Sequence, residues 1–89
     1  MLQDRQTKRF KKDYERMIKR GKSIEKLDEI IVMLIDEIPL PTTCRDHILT
    51  GNLAGFRDCH FEPDWVLIYA VRGNDLILFR TGSHADILE

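Results

Sequence analysis

An uninterrupted run of seven apolar residues, at positions 65–71, constrains the fold of this chain more than any other feature. The run is β-prone throughout, which is typical of a central strand that is covered on both faces. Residues 72–75 (RGND) indicate a hairpin loop, and residues 76–80 supply the partner strand. A bilayer-spanning helix needs about 20 apolar residues, so the run predicts a strand in a sheet and is far too short for a membrane span.

Two amphipathic helices are predicted before the sheet. Thr7 can cap a first helix that extends to about Arg20, and Gly21 ends it where left-handed dihedral angles are needed. Ser23 opens a second helix, which Pro39 and Pro41 end. The apolar face of the first helix contains Phe10, Tyr14, Met17 and Ile18. The predicted buried face of the second contains Ile24, Leu27, Ile31, Leu34, Ile35 and Ile38.

The remaining segments complete an α+β domain. Residues 2–7 could form a short edge strand, and residues 56–61 alternate weakly, with Asp58 and His60 on one side and Cys59 on the other. We therefore expect one domain, residues 1–89, with two N-terminal helices packed on a small antiparallel sheet and a short C-terminal turn of helix. A chain of 89 residues can bury one small core. Its N-terminus shows no secretory signal, so we expect it in the cytoplasm.

The chain carries a strong charge asymmetry. Residues 1–26 contain ten Lys and Arg against four acids, whereas residues 27–89 contain four Arg against eleven acids. Such an asymmetry suggests a basic surface for an anionic partner, for example nucleic acid. The alternative is a helix face that is simply solvated, and the charges alone leave both interpretations open.

All three histidines, His47, His60 and His84, lie in the second half of the chain, together with Asp64 and Arg80 near strand ends. Adjacent strands would gather these side chains at one rim of the sheet. Histidine can transfer protons near neutral pH, arginine can bind phosphate oxygens, and aspartate can orient an imidazole. The set suffices to cleave RNA without a metal ion, although each histidine also has a purely structural explanation.

The two cysteines, Cys44 and Cys59, are expected to be buried thiols, with a metal or redox role as the alternative. A metal site built from Cys59, His60, Asp64 and His84 is disfavoured, because adjacent residues of a strand point to opposite faces. We expect no metal and no cofactor. The sequence also lacks a phosphate-binding glycine loop and a nucleophile elbow.

Three segments share their order and spacing with a known toxin family. They are RDHILTG at residues 45–51, GFRDCHFEPDW at residues 55–65 and LILFRTGSH at residues 76–84. They contain the patterns D-H-x-L-x-G, G-[FY]-R-[DE]-x-H-x-x-P-D and R-x-G-[ST]-H. On these motifs the chain resembles the YafQ branch of the RelE toxin superfamily, over essentially its whole length.

The resemblance implies the toxin of a bacterial type II toxin–antitoxin pair, an endonuclease that cuts mRNA in the ribosomal A site. By position, His84 matches the general acid and Arg80 the phosphate-stabilising arginine. The residues that match base and orienting roles are His47, His60 and Asp64. Trp65 is either structural or a stacking contact for RNA. Leu88 stands where close relatives have a Phe that could stack on a base.

The resemblance also implies partners: a cognate antitoxin, the ribosome with its mRNA, and operator DNA only through the antitoxin complex, with no membrane. The residues expected to contact ribosomal RNA are the cations of the first helix: Lys8, Lys11, Lys12, Lys19 and Arg20. The same helices could instead bind an acidic antitoxin segment. The alternative function is a binding module without enzymatic activity, or a DNA-binding corepressor, on the same scaffold.

Overall fold

The fold is taken from a computed structural model, which describes residues 1–88 and the side chains of residues 1–87. Its regular elements, in chain order, are β1 (Gln3–Gln6), α1 (Lys8–Lys19), α2 (Ile24–Ile35), β2 (His47–Ile48), β3 (Arg57–Glu62), β4 (Trp65–Arg72), β5 (Asp75–Gly82) and α3 (His84–Leu88). Two single 3₁₀ turns, Thr42–Cys44 and Gly51–Leu53, flank β2. Among the described residues, no helix is long and apolar enough to cross a bilayer.

The five strands form one sheet in the order β1-β5-β4-β3-β2. The predicted hairpin of β4 and β5 and the edge position of β1 are confirmed. The sheet is mixed, because β1 runs parallel to β5 while the other pairs are antiparallel. β2 lies between the two 3₁₀ turns and pairs with β3, although the sequence analysis predicted no strand there. A two-residue strand is too short to leave a periodic signal.

The helix boundaries follow the sequence except at the end of α2. The Thr7 hydroxyl accepts a hydrogen bond from the Phe10 amide, which confirms the predicted N-cap of α1. α2 ends at Ile35, before either proline. Glu37 adopts a left-handed conformation (φ 57°), and the Ile38 amide donates to the Met33 carbonyl at 2.9 Å. The prediction that Ile38 lies on the buried face of α2 is therefore wrong, because the residue lies beyond the helix and is 48% exposed.

The core lies between the two long helices and one face of the sheet. Phe10 and Met17 of α1 and Leu27 and Leu34 of α2 pack in one cluster with alternate strand residues, namely Cys59, Trp65, Leu67, Tyr69, Leu76 and Leu78. The intervening residues of β4 point to the other face, yet Val66 and Ile68 are buried too. β4 is therefore covered on both faces, as its uninterrupted apolar sequence predicts.

Candidate active site

Strand register brings three of the predicted site residues, His47, His60 and Arg80, to the sheet face away from α1 and α2. His47 is opposite Asp58, Asp58 is opposite Ile68, and Ile68 is opposite Arg80, so one row crosses β2, β3, β4 and β5. Directly opposite residues share a face. His60 lies two residues after Asp58 and shares that face as well. The register of β3 therefore confirms the alternation in residues 56–61, which put Asp58 and His60 on the same side.

The side chains of His60 and His84 meet directly. Their Nε2 atoms are 2.9 Å apart, and the ring centroids are 4.9 Å apart. On the other side of His60, the ring of His47 stacks at 5.9 Å with an interplanar angle of 14°. The three imidazoles therefore form one continuous group, as the sequence predicted. A hydrogen bond between two imidazole nitrogens requires a proton on one and a lone pair on the other.

A carboxylate closes each end of the His60–His84 pair. Asp64 Oδ1 lies 2.8 Å from His84 Nδ1 and accepts a hydrogen bond from the His84 amide at 3.0 Å. These bonds, the backbone one first, hold the pKa of Asp64 below its usual range. Asp58 Oδ1 lies 3.1 Å from His60 Nδ1, within ion-pair distance, and neither of these two buried atoms makes a hydrogen bond within the described residues. Asp64 therefore favours a proton on His84 Nδ1.

Asp58, His60, His84 and Asp64 form a linear network of four side chains, and the hydrogens that its contacts need can be counted. Each of three contacts, Asp58–His60, His60–His84 and His84–Asp64, needs one hydrogen to become a hydrogen bond. Two neutral imidazoles bring only two hydrogens. The arrangement is therefore complete when the four side chains together hold one further proton. A site with one removable proton and one vacant lone pair can act as both acid and base.

Asp58 is the member of this side-chain cluster that the list of candidates missed. Its carboxylate lies between His60 and His47, with Oδ2 3.8 Å from His47 Nε2. Burial raises the pKa of Asp58, and the nearby imidazoles oppose that shift. The available signal was the alternation itself, which placed Asp58 on the same side of β3 as His60.

Arg80 is at the predicted position, but its guanidinium binds elsewhere. Nε and Nη2 donate to the Asp13 carboxylate of α1 at 2.7 and 3.2 Å, and Nη2 also approaches the Asp86 carbonyl at 3.4 Å. The ion pair with Asp13 raises the pKa of Arg80. Beyond residues 75–78, no strand of the described chain pairs with the outer edge of β5, which leaves room for this contact with α1. None of the hydrogen bonds of Arg80 within the described residues reaches an imidazole.

For two further candidates, Trp65 and Arg20, the structure shows contacts that the sequence did not predict. Trp65 is fully buried and donates from Nε1 to the Thr81 hydroxyl at 2.9 Å. The candidate role of Trp65 in contacting RNA is therefore wrong, and its structural role is confirmed. Arg20 donates to both oxygens of Asp86, at 2.7 and 3.0 Å. The side chain of Leu88 lies outside the described part of the chain.

The other predicted RNA contacts are four exposed lysines of α1, none of which forms an ion pair within residues 1–87: Lys8, Lys11, Lys12 and Lys19. Both cysteines are buried, as expected, and burial raises the pKa of the Cys59 thiol. Cys59 belongs to the core on the face opposite His60, so the disfavoured Cys–His metal set is not assembled.

A different set could hold a metal ion. His47, Asp58 and His60 each offer a ligand atom, and these atoms lie within 4.8 Å of one another. Two imidazoles and a carboxylate suit zinc or copper. Two of these groups, Asp58 and His60, also belong to the set that shares protons with His84, so a metal ion there would compete with proton transfer.

Comparison with known proteins gives consistent results. The chain matches the family described as the bacterial toxin of type II toxin–antitoxin system, YafQ, over residues 2–89. The mRNA interferase toxin YafQ of Escherichia coli is 43% identical over 77 residues, which are 85% of this chain and 84% of that protein.

Solved structures agree in fold over the whole chain. A crystal structure of YafQ from E. coli is similar with a TM-score of 0.94 and 36% identity, over 100% of both chains. A chain of the E. coli DinJ–YafQ complex has a TM-score of 0.92 and 37% identity, again over 100% of both. A metal-bound toxin from Helicobacter pylori has a TM-score of 0.90 and 37% identity, over 98% of this chain and 99% of that one.

Proposed function

The chain belongs to the YafQ family of type II toxins, and from this premise we propose that it cuts mRNA on the ribosome through its histidines, without a metal ion. As a YafQ toxin it is an endoribonuclease, an mRNA interferase. The finer proposal concerns the mechanism, the ribosome and the site of action in the cytoplasm. One observation carries it: the His60–His84 pair is closed at each end by a carboxylate.

The proposed reaction uses the one additional proton that the network of Asp58, His60, His84 and Asp64 can hold. His60 takes the proton of the ribose 2′-OH, the 2′-oxygen attacks phosphorus, and the bond from phosphorus to the 5′-oxygen breaks. His84 gives a proton to that leaving oxygen, so the products are a 2′,3′-cyclic phosphate and a 5′-hydroxyl. The pair holds the same number of protons before and after the step. Asp64 orients His84, and its bond at Nδ1 directs the transferable proton to Nε2.

Substrate must separate the two Nε2 atoms, which are only 2.9 Å apart in the free protein. His84 is the ring that can move, since its side chain is 43% exposed whereas that of His60 is 21% exposed. His47 stacks on His60 and shares Asp58 with it, so its proposed role is to orient the base. Bond lengths in a free enzyme commonly differ from those in the substrate complex.

Arg80 is proposed to bind the phosphate through Nη1 alone. Nε and Nη2 are occupied by Asp13, whereas Nη1 has no hydrogen-bond partner within the described residues and is not among their buried unpaired atoms. One donor on a guanidinium that is fixed by Asp13 would need little reorganisation to stabilise charge on the phosphate.

The four exposed lysines of α1 are proposed to hold ribosomal RNA through phosphates. They lie on a helix whose opposite side is fixed in the core by Phe10 and Met17, so the charges are presented on a rigid element. A cognate antitoxin is proposed as the other partner, because a similar E. coli chain occurs in a complex with DinJ. Operator DNA would then be contacted only by that complex.

The test compares the wild type with His84→Ala and with Ala85→Ser, a matched exposed neighbour in α3. Programmed ribosomes are incubated with each protein, and new mRNA 5′ ends are mapped by primer extension. Loss of a general acid should slow cleavage by about 10²–10⁴-fold. Ala85→Ser should cleave like the wild type. A His84→Ala variant that still cleaves normally would refute the mechanism.

Two additions separate the alternatives. EDTA should leave the rate unchanged; inhibition that zinc or copper reverses would instead assign catalysis to a metal at the set that contains His47, Asp58 and His60. Cleavage of free mRNA at the same rate as ribosome-bound mRNA would refute ribosome dependence. A wild type that binds ribosomes but cuts no mRNA would favour the binding-module alternative.

A further inference from the structure

We propose that Arg20 is a positioning residue for His84, acting through Asp86, and is not one of the cations that hold RNA. This inference rests on the proposed function, because it takes His84 to be the general acid. It corrects the expectation that the last cation of α1 serves the same purpose as the lysines before it.

Arg20 and Asp86 form a two-pronged ion pair between distant parts of the chain. Arg20 caps the C-terminus of α1, and its Nη1 and Nη2 donate to Asp86 Oδ2 and Oδ1 at 2.7 and 3.0 Å. Parallel bonds of this kind fix direction as well as distance. The pair, with the Ser83 hydrogen bonds, holds the pKa of Asp86 well below its usual range, so the carboxylate stays ionised.

The same carboxylate closes the first turn of α3. Asp86 Oδ2 accepts from the Ser83 amide at 2.9 Å, and the Ser83 hydroxyl accepts from the Asp86 amide at 3.2 Å. This reciprocal arrangement is a capping box. Gly82 lets the carboxylate approach, because a Cβ there would lie 2.9 Å from Asp86 Oδ2. The glycine and serine that precede His84 therefore serve the contact with Asp86.

His84 depends on this turn for its position. It is the first residue of α3, and both its amide and its Nδ1 meet Asp64 Oδ1. A helix of five residues is far too short to be stable alone, so its position comes from its anchors. Arg20 is the strongest anchor that comes from α1; Arg16 is more distant, at 3.8 Å. Without Arg20 the first turn of α3 would lose its fixed direction, and His84 would therefore lose its fixed position.

The geometry also argues against a role of Arg20 in gripping RNA. Both terminal nitrogens are already bound to Asp86, so a phosphate would have to displace a carboxylate. Lys19 precedes it in the sequence, is exposed and has no ion pair within the described residues. Lys19 is therefore the matched comparison for a cation that contacts phosphate.

The experiment measures kcat and KM for programmed ribosomes over a range of salt concentrations in Arg20→Gln, Arg20→Lys and Lys19→Gln. A displacement of about 1 Å at a reacting group can cost about 100-fold in rate, so Arg20→Gln should lower kcat by ten- to one-hundred-fold with KM and its salt dependence unchanged. Lys19→Gln should raise KM and reduce the salt slope by about 0.7–0.9, one phosphate contact. Arg20→Lys keeps the charge but has one ammonium group in place of the two-pronged guanidinium, so kcat should fall less than in Arg20→Gln.

Two controls make the outcome decisive. Asp86→Asn should lower kcat as Arg20→Gln does, and the double variant should be no worse than either single variant. In all variants, thermal unfolding checks that the fold persists. Wild-type kcat in Arg20→Gln, or a rise of KM with a shallower salt slope, would overturn the positioning role. A His84→Ala variant that retains cleavage would instead overturn the proposed function, so the two failures are distinguishable.

Discussion

Replacing Asp13 by alanine should destabilise this protein more than any other single change of a charged side chain in α1. Asp13 is 3% exposed and accepts hydrogen bonds from three residues. Arg80 donates at 2.7 and 3.2 Å, Arg16 at 2.8 Å and the Thr81 amide at 3.2 Å. Asp13→Ala leaves the guanidinium of Arg80, itself 8% exposed, without its counter-charge.

The expected cost follows from that burial. Removing one partner of a buried ion pair costs about 3–5 kcal/mol, because the other charge stays desolvated. A domain of 89 residues has a free energy of unfolding of about 4–13 kcal/mol. Each kcal/mol shifts the Tm of such a domain by about 4–8 °C, so Asp13→Ala should lower the Tm by about 12–40 °C.

The assay is urea unfolding of proteins that also carry His84→Ala, which is expected to make the toxin harmless to the expressing cell. Glu15→Ala is the control, since Glu15 is exposed on the same helix, and its cost should stay within about 0.5 kcal/mol. Replacing the pair together, as Asp13→Leu with Arg80→Met, should recover much of the loss. The reasoning is refuted if the free energy of unfolding of Asp13→Ala lies within about 1 kcal/mol of that of Glu15→Ala, which is the size of one ordinary hydrogen bond. In that case the guanidinium of Arg80 regains water easily.

Three further predictions concern the site and its support. Because burial raises the pKa of Asp58, the fold disfavours its ionised form, so Asp58→Asn should keep or raise the Tm at pH 7 while cleavage falls; a lower Tm would contradict this. The pKa of Asp86 is lowered, so its ionised form stabilises the fold above about pH 4, the ordinary aspartate range, and this contribution is lost as the pH falls further. Asp86→Asn should therefore weaken the dependence of Tm on pH between 2 and 4; an unchanged dependence would count against the ion pair. Trp65 is the single tryptophan and is buried, so iodide should quench its fluorescence weakly and RNA should not change the emission.

Much of the fold could be predicted because its signals are local. The cap at Thr7, the stop at Gly21 and the apolar sequence of β4 each act within a few residues of their own position. The pair of His60 and His84 could be predicted as well, because His60 lies in β3, His84 follows β5, and both strands pair with β4. The end of α2 could not, since Ile38 fits the helical period and only the left-handed Glu37 excludes it from the helix.

The partners of the arginines are not encoded in any local pattern. Arg80 and Asp13 are 67 residues apart in the chain, and Arg20 and Asp86 are 66 apart. A register shift in the pairing of β4 with β5 also comes between Leu78, which faces the core, and Arg80, which is opposite Ile68. Simple alternation would put both on one face. Sequence reasoning therefore placed Arg80 on the face of the imidazoles but could not identify Asp13 as the partner of its guanidinium.

α1 consequently has two different charged sides, which a count of basic residues in the sequence cannot distinguish. Asp13, Arg16 and Arg20 are spaced by three and four residues, so they line one side of the helix. Asp13 holds Arg80 of β5, and Arg20 holds Asp86 of α3, while Arg16 contacts both carboxylates. That side fixes the two elements that carry Arg80 and His84. The lysines elsewhere on the helix have no such partners within the described chain, so we expect their side to contact a phosphate backbone. A charge removed from the first side should therefore change the rate of the chemical step, and one removed from the second should change affinity.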